Sequence, residues 1–421
     1  MMLDQNNYNQ YKLKFPLESL KSAELREKAF LSFKEQGLPT KKEEAWKFTS
    51  LADVKLMDWV LPLEEKLLSH DEMVFISKQL SSDFYNLVFV NGFLNQTLSD
   101  SDLKIEFKDL EEKDFSFSAD TESKLINLSR GFGVQKIQLK IEKHTQFDRP
   151  LQILNVISGQ LSTIVQPIFE IQVSDHCELK LIHHTLGLPG QQGIPHLFNL
   201  DLTVSLGKSA HVKFANLQND NIKDYSFGRI QFKLAQSSVL TSLDLALGAK
   251  TSRHYLSTHF TSEGASAGVY GLALLTDEQH CDQYTFIHHQ VGHNQSIQYY
   301  KSILTDKSSS VFRGRVRIEQ DAQKANSEQL NNNLLISRAA HAMSIPQLEI
   351  YADDVKAGHG STVGQLNKDE IFYFLSRGIS EKQAVQMLAH GFAKELVYKL
   401  ENDLMENFIF HILEQKLNEI F

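Results

Sequence analysis

The densest group of chemically capable side chains lies in residues 346–366, PQLEIYADDVKAGHGSTVGQL, where Asp353, Asp354, Lys356 and His359 put four ionisable groups into seven residues. A carboxylate beside an imidazole can orient it as a general base. A neutral imidazole near physiological pH is equally a metal ligand. Leu348, Ile350 and Ala352 alternate with Glu349, Tyr351 and Asp353, the period of a strand with one face buried. Ala357-Gly358-His359-Gly360 is predicted to break that strand, because glycines let the backbone bend and leave the imidazole little steric cover. The bland alternative is a surface or hydrogen-bonded core histidine. From the residues alone both readings stay open.

Other candidates are weaker. His183-His184 and His288-His289, with His293 four further on, suggest metal binding, but adjacent residues of a strand point to opposite faces and cannot chelate one ion together. His280-Cys281 meets the same objection. Cys177 and Cys281, the only two cysteines, cannot build a disulfide framework or a four-thiolate cluster site, and each reads as a small buried hydrophobe. Any cluster bound here needs histidine, carboxylate or a partner's thiolates. Nor is there a phosphate-binding G-x-x-x-x-G-K-[ST] loop: GLPGQQG at 187–193 lacks both the lysine and a following helix pattern.

The elements that must position these groups follow from patterning. The 421 residues, 42% hydrophobic and 23% charged, are those of a soluble globular protein with a large core. A net charge of −9 gives no reason to propose nucleic acid or an anionic membrane as partner. The polar start, MMLDQNNYNQ, lacks the apolar core of a signal peptide, so cytoplasmic residence is expected. Residues 1–130 read as a mixed, mainly helical region: a helix from Pro16 to Gln36 stopped by Gly37, a segment docked by Trp46, a helix at 71–81, a strand at Leu87–Val90, and an acidic solvated linker at Asp109–Asp114. Residues 131–366 carry one period-2 run after another. Pairs of small residues (Ser209-Ala210, Ser237-Ser238, Ala265-Ser266, Ser308-Ser309) recur before strands at intervals of 28, 28 and 43. Small corners feeding short strands suggest a solenoid of β-coils, although a sandwich fits the pattern nearly as well. Residues 367–421 switch to helix. Asn367 caps the first, Gly378 ends it, and Ser380 with Gln383 forms a capping box for a second. Ala384, Leu388, Phe392, Leu396, Leu400 and Leu404 line one side of that helix, a stripe that reads as core. Phe372, Tyr373 and Phe374 in succession must point in different directions, so one is expected to stay exposed for a partner.

Several of these stretches, in this order, resemble the SufB/SufD family, the scaffold subunits of the SufBCD iron–sulfur cluster assembly machine. LEIYADDVK followed by the short turn around His359 carries most of the resemblance. Phe312-Arg313-Gly314, Ala322-Gln323-Lys324, Gln329 with Asn331-Asn332-Asn333-Leu334-Leu335, Pro346, and Phe372-Tyr373 with Ser376-Arg377-Gly378-Ile379 extend it. PTKKEEAWK near the start is similar as well. The match is close over about 260–395 and thin near the N-terminus.

The resemblance implies a mainly β fold with a right-handed parallel β-helix core, which decides between solenoid and sandwich. It implies a non-catalytic scaffold that pairs with SufB through the β-helix and receives SufC, an ABC-type ATPase, on the C-terminal helices. Phe372, Tyr373, Arg377, Gly378 and Ile379 fall on the docking positions. It further implies that His359 holds iron or a nascent Fe–S cluster together with a SufB thiolate, and that a homodimer can form when SufB is absent; whether the assembled complex holds reduced flavin stays open. Many relatives carry a cysteine two residues before the histidine, where this chain has Ala357. The competing readings are a polysaccharide-active β-helix enzyme and a structural adaptor that never touches metal.

Overall fold

The computed structural model describes residues 8–9, 12, 19–100, 106–108, 123–133, 136–143, 148–189 and 193–421. The expected linker at Asp109–Asp114 and most of residues 1–14 lie outside them.

In the N-terminal region the described residues include the helices α1 (Leu20–Gln36), α2 (Ala52–Leu56), α3 (His70–Ser77) and α4 (Ser123–Phe132), around the start of the chain's strands. Gly37 stops α1 in a left-handed backbone conformation, its N–H returning to Phe33. Tyr8 is buried and stacks on Phe30 with ring centroids 4.0 Å apart. Trp46 is fully buried in a short 3₁₀ turn, Glu44–Trp46.

The first strands are short: β1 (Tyr85–Val90), β2 (Phe93–Leu94), β3 (Glu106–Lys108), β4 (Lys136–Ile141), β5 (Leu151–Ile157), β6 (Ile164–Val165) and β7 (Ile168–Val173). Longer ones follow: β8 (Glu178–Gly187), β9 (Leu197–Leu206), β10 (His211–Asn219), β11 (Tyr225–Leu234), β12 (Val239–Ala246), β13 (Thr251–Phe260) and β14 (Ser266–Leu275). The last are β15 (His280–His289), β16 (Gln295–Leu304), β17 (Ser309–Ile318), β18 (Asn326–Leu335), β19 (His341–Ile350) and β20 (Lys356–Gln365). Even-numbered strands from β8 onward stack in one sheet and odd-numbered strands in the other, all parallel and in register. Each coil buries its apolar residues only against its neighbours, and the result is a parallel β-helix of about eight turns. Antiparallel partners β2 and β3 close its N-terminal end. At the other end β19 and β20 are the last strands of their sheets.

The corners obey a rule that the small-residue pairs only partly revealed. His176, Ser209, Ser237, Gly264, His293 and Lys324 all have positive φ, and each stands two residues before a strand. The residue after each one (Cys177, Ala210, Ser238, Ala265, Asn294, Ala325) is buried in a stacked column. The corner intervals are therefore 33, 28, 27, 29 and 31 residues, from subtraction of those positions. Ser308-Ser309 belongs to the other sheet, behind the positive-φ Asp306, and that explains the discordant interval of 43.

After β20 come α5 (Lys368–Ser376), α6 (Glu381–Val397) and α7 (Asp403–Ile420). The expected caps form: Asn367 accepts from the Asp369 N–H, Gly378 adopts φ +80 and terminates α5, and Ser380 with Gln383 makes the capping box. Ala389, Ala393, Leu396, Leu400, Ile409 and Ile412 pack against Leu217, Leu245, Leu272 and Ile303 on the outside of the even-numbered sheet, and Ala384 is buried as well. The stripe is core, with one correction. Glu401 takes a left-handed conformation that ends the helix and turns Leu404 outward.

Candidate functional site at the open end of the β-helix

Residues 357–360 do not form the sharp turn that two glycines suggested. They lie inside β20, and neither Gly358 nor Gly360 has a positive φ. The bend comes earlier, at 351–355, between β19 and β20. Backbone N–H and C=O groups of β20 pair with β18 along their whole length, which holds the segment extended despite its glycines.

Register then decides where His359 points. Ser327, Gln329 and Asn331 of β18 are buried in the lumen and stand level with Ala357, His359 and Ser361 of β20. In-register neighbours of a parallel sheet send their side chains to the same face, so His359 faces the lumen. It is nonetheless exposed, because among the described residues no further coil stacks on it. Thr362, of opposite parity, faces outward and donates to Asn332 Oδ1 at 2.9 Å.

The four ionisable groups of the first motif are not brought together. Asp354 pairs with Lys324 of the preceding corner, and its N–H donates to Gln323 Oε1 at 2.9 Å. Asp353 and Lys356 are exposed beside it. Among the described residues no group of three or more His, Cys, Asp or Glu side chains is arranged to hold a metal ion. His359 thus offers one nitrogen donor at the mouth of the lumen.

Around it the last coil is unfinished. Among the described residues nothing pairs with the outer edge of β19 or of β20, each ten residues, about 33 Å long at the rise of a strand. Such an edge is a template for another chain. Gly358 and Gly364 would meet nothing with an added Cβ, which leaves the β20 backbone bare. Ile350, Tyr351 and Val363 are large exposed apolar side chains on the same coil.

The second surface is α5, separated from β20 by two residues. None of its nine residues is buried. Phe372 is 71% and Tyr373 55% exposed, and the Arg377 guanidinium lies 5.0 Å from the Tyr373 ring centroid. Gly378 and Ile379 form the turn behind them, their N–H groups returning to Leu375 and Phe374 at 3.0 and 3.2 Å.

The paired histidines divide between faces as strand geometry requires. His183 lies in the lumen between the rings of Phe169 and Phe198, whereas His184 sits against Phe408 of α7. Burial pushes His183 down to about 4 and His184 to about 3. His288 bonds Glu319 at 2.8 Å, while His289 bonds Ser296 at 2.9 Å and stacks on Phe260. Cys177 and Cys281 are buried free thiols, and burial raises the pKa of both.

Three constellations escaped the sequence reading. A polar chain runs up the lumen through Asn155, His183, Asn216 and Asp244, with contacts of 3.0, 2.8 and 2.8 Å. His254 Nδ1 and Gln283 Nε2 also meet Asp244, at 2.8 and 2.9 Å. Its signal is that His183, Asn216 and Asp244 are spaced by corner intervals and stand level on neighbouring strands. A clamp joins the N-terminal segment to the β-helix: Arg253 pairs with Asp282, lies 4.2 Å from the Trp46 ring centroid, and Thr49 donates to Asp282 at 2.6 Å. Finally, Lys301 of β16 reaches out to Glu395 and the Phe392 carbonyl of α6.

Comparison with known proteins fits this architecture. Residues 156–392 match the family model described as SUF system FeS cluster assembly, SufBD core domain, and residues 17–153 match the SufBD protein N-terminal region. The iron–sulfur cluster assembly protein SufD of Escherichia coli is 28% identical over 394 residues, 90% of each chain. An iron–sulfur cluster assembly SufBD family protein of Synechocystis is 27% identical, covering 86% of this chain and 83% of its own. SufD of Bacillus subtilis is 25% identical over 66% of this chain and 63% of its own. The coil that carries His359 lies within the matched core, and this chain belongs to the SufBD family of the SUF system for iron–sulfur cluster assembly.

Proposed function

We propose that this chain is a non-catalytic scaffold subunit of a SUF assembly complex, and that the open end of its β-helix completes a cluster-building site with a SufB-type partner. The observation that carries the reading is the inward-facing, exposed His359 at the mouth of an uncapped coil. One imidazole cannot hold iron or a nascent cluster alone, so the remaining ligands come from the partner, thiolates foremost. Pairing of the partner's strands with the β19 or β20 edge would cover the mouth and exclude water from the cargo. Ala357 in place of the common family cysteine makes the imidazole the donor from this strand.

The exposed α5 aromatics with Arg377 have the composition of a binding hot spot, and we assign them to docking of a SufC-type ATPase. ATP-driven movement of that partner would act on the β19–β20 end through α5. The test is His359→Ala in the co-expressed complex, read by the visible absorbance of the assembled cluster and by bound iron. A loss of tenfold or more with the complex intact supports the reading. Full cluster yield removes His359 from the site.

A further inference from the structure

We propose that Gln329 is a positioning residue for His359: its amide oxygen, which makes no hydrogen bond in this structure, accepts from one imidazole N–H once the ring turns toward it, so that the other ring nitrogen is bare and directed out of the mouth. The inference rests on the reading of His359 as a ligand. Gln329 is buried in β18, level with His359 and on the same face. Its amide nitrogen donates to Gln298 Oε1 at 2.5 Å, and that oxygen also accepts from Thr285 Oγ1 at 3.2 Å. In this arrangement Gln298 Oε1 is the acceptor of both contacts, and the Gln329 amide lies with its nitrogen toward Gln298 and its oxygen away from it. Gln329 Oε1 remains, buried and without a hydrogen-bond partner among the described residues. A buried acceptor left in that state is costly, and the side chain on the next coil is His359. Gly314 makes room for the amide: a Cβ there would stand 1.9 Å from Gln329 Nε2.

The same lumen already uses this device lower down. His183 is held by amides of the coils on either side, with Asn155 Nδ2 at 3.0 Å from Nε2 and Asn216 Oδ1 at 2.8 Å from Nδ1. That histidine is gripped at both nitrogens and sealed. His359 has a coil on one side only, so a single amide can grip one nitrogen and leave the second for a ligand bond. Holding the far N–H of a ligating histidine sets its tautomer and aims its lone pair.

The experiment compares Gln329→Met with Gln329→Glu. Both lose the donor to Gln298, but only Glu keeps an oxygen for His359. The first readout needs neither partner nor cluster: the tautomer of His359 in the ¹⁵N-histidine-labelled full chain, its signals identified by their loss in His359→Ala. One dominant tautomer is expected in the wild type and Gln329→Glu, and a mixture in Gln329→Met. In the co-expressed complex Gln329→Met should lower bound iron about tenfold or more, with Gln329→Glu within about threefold of wild type. Identical tautomer populations in wild type and Gln329→Met, or Glu behaving as Met does, would overturn the proposal. If His359→Ala leaves cluster yield intact while Gln329→Met still scrambles the tautomer, the ligand reading fails and the positioning stands.

Discussion

Lys301 Nζ lies 2.9 Å from the carbonyl oxygen of Phe392 and 4.2 Å from the centroid of that residue's ring. The lysine side chain is 2% exposed, whereas its ion-pair partner Glu395 is 51% exposed. The energetic weight therefore sits on the backbone and ring contacts rather than on the solvent-screened carboxylate. Lys301→Met should cost about 2 kcal/mol, as expected for a lost hydrogen bond from a charged donor. Glu395→Gln should cost less than about 1 kcal/mol. Urea unfolding of the two variants checks the ranking, and equal losses would shift the weight to the ion pair.

The N-terminal clamp makes a second prediction. Trp46 is fully buried and covers the Arg253 guanidinium. Trp46→Ala should cost about 3–5 kcal/mol through the cavity it leaves, and Thr49→Val about 1–3 kcal/mol through the carboxylate contact it removes. Thermal melts read both losses, and limited proteolysis should cut the segment near residue 50 first.

Acid should unfold the protein through its buried histidines, on both faces of the strands. His183, His184 and His289 have folded pKa values of about 4, about 3 and about 4, all lowered by burial. The unfolded chain takes up their protons near pH 6.5, so stability is complete above that pH and falls as the pH drops toward 4. Each residue contributes about 1.4 kcal/mol per pH unit in that window. His289→Gln should flatten the dependence of the urea midpoint between pH 6.5 and 4.5. Burial opposes the charge on His254, but Asp244 beside it outweighs burial and raises its pKa. That contribution is fully present below pH 6.5 and lost as the pH rises through the folded value, so His254→Gln should lower stability below pH 6.5 by a constant amount, changing the pH slope only above it.

The exposed helix face predicts a separation of stability from binding. Phe372→Ala and Tyr373→Ala remove side chains that touch little in this chain, so the melting temperature should hold, with effects within about 0.5 kcal/mol. Affinity for a SufC-type ATPase should fall about 30-fold or more if these are hot-spot residues, corresponding to about 2 kcal/mol. Titration calorimetry with the purified ATPase measures this directly. Unchanged affinity would move the docking surface elsewhere.

Much of the fold was legible because a solenoid repeats its instructions. Alternation named the strands, and small residues named corners at 209–210 and 237–238, while Asn367, Gly378 and Ser380 marked the C-terminal helices. What stayed hidden was non-local. The glycines beside His359 signal a bend, but a full ladder of hydrogen bonds to β18 outweighs that local preference. His293-Asn294 and Lys324-Ala325 are corners with the wrong-looking residues, because the left-handed position tolerates polar side chains and only the following residue must fit the buried column. The Asn155–His183–Asn216–Asp244 chain joins residues a coil apart, and a reading that follows neighbours along the chain does not see it. His359 was found, but its inward direction needed the register.

Only Leu366 and Asn367 separate the last residue of β20 from the first of α5. That spacer is too short to go slack. A pull or twist delivered to the helix by whatever grips Phe372 and Tyr373 arrives almost undamped at the rim strand, while the strands beneath it stay anchored by neighbours on both sides. On the proposed docking at α5, a partner would tilt the rim without disturbing the shaft, and so set the geometry around the imidazole without coming near it.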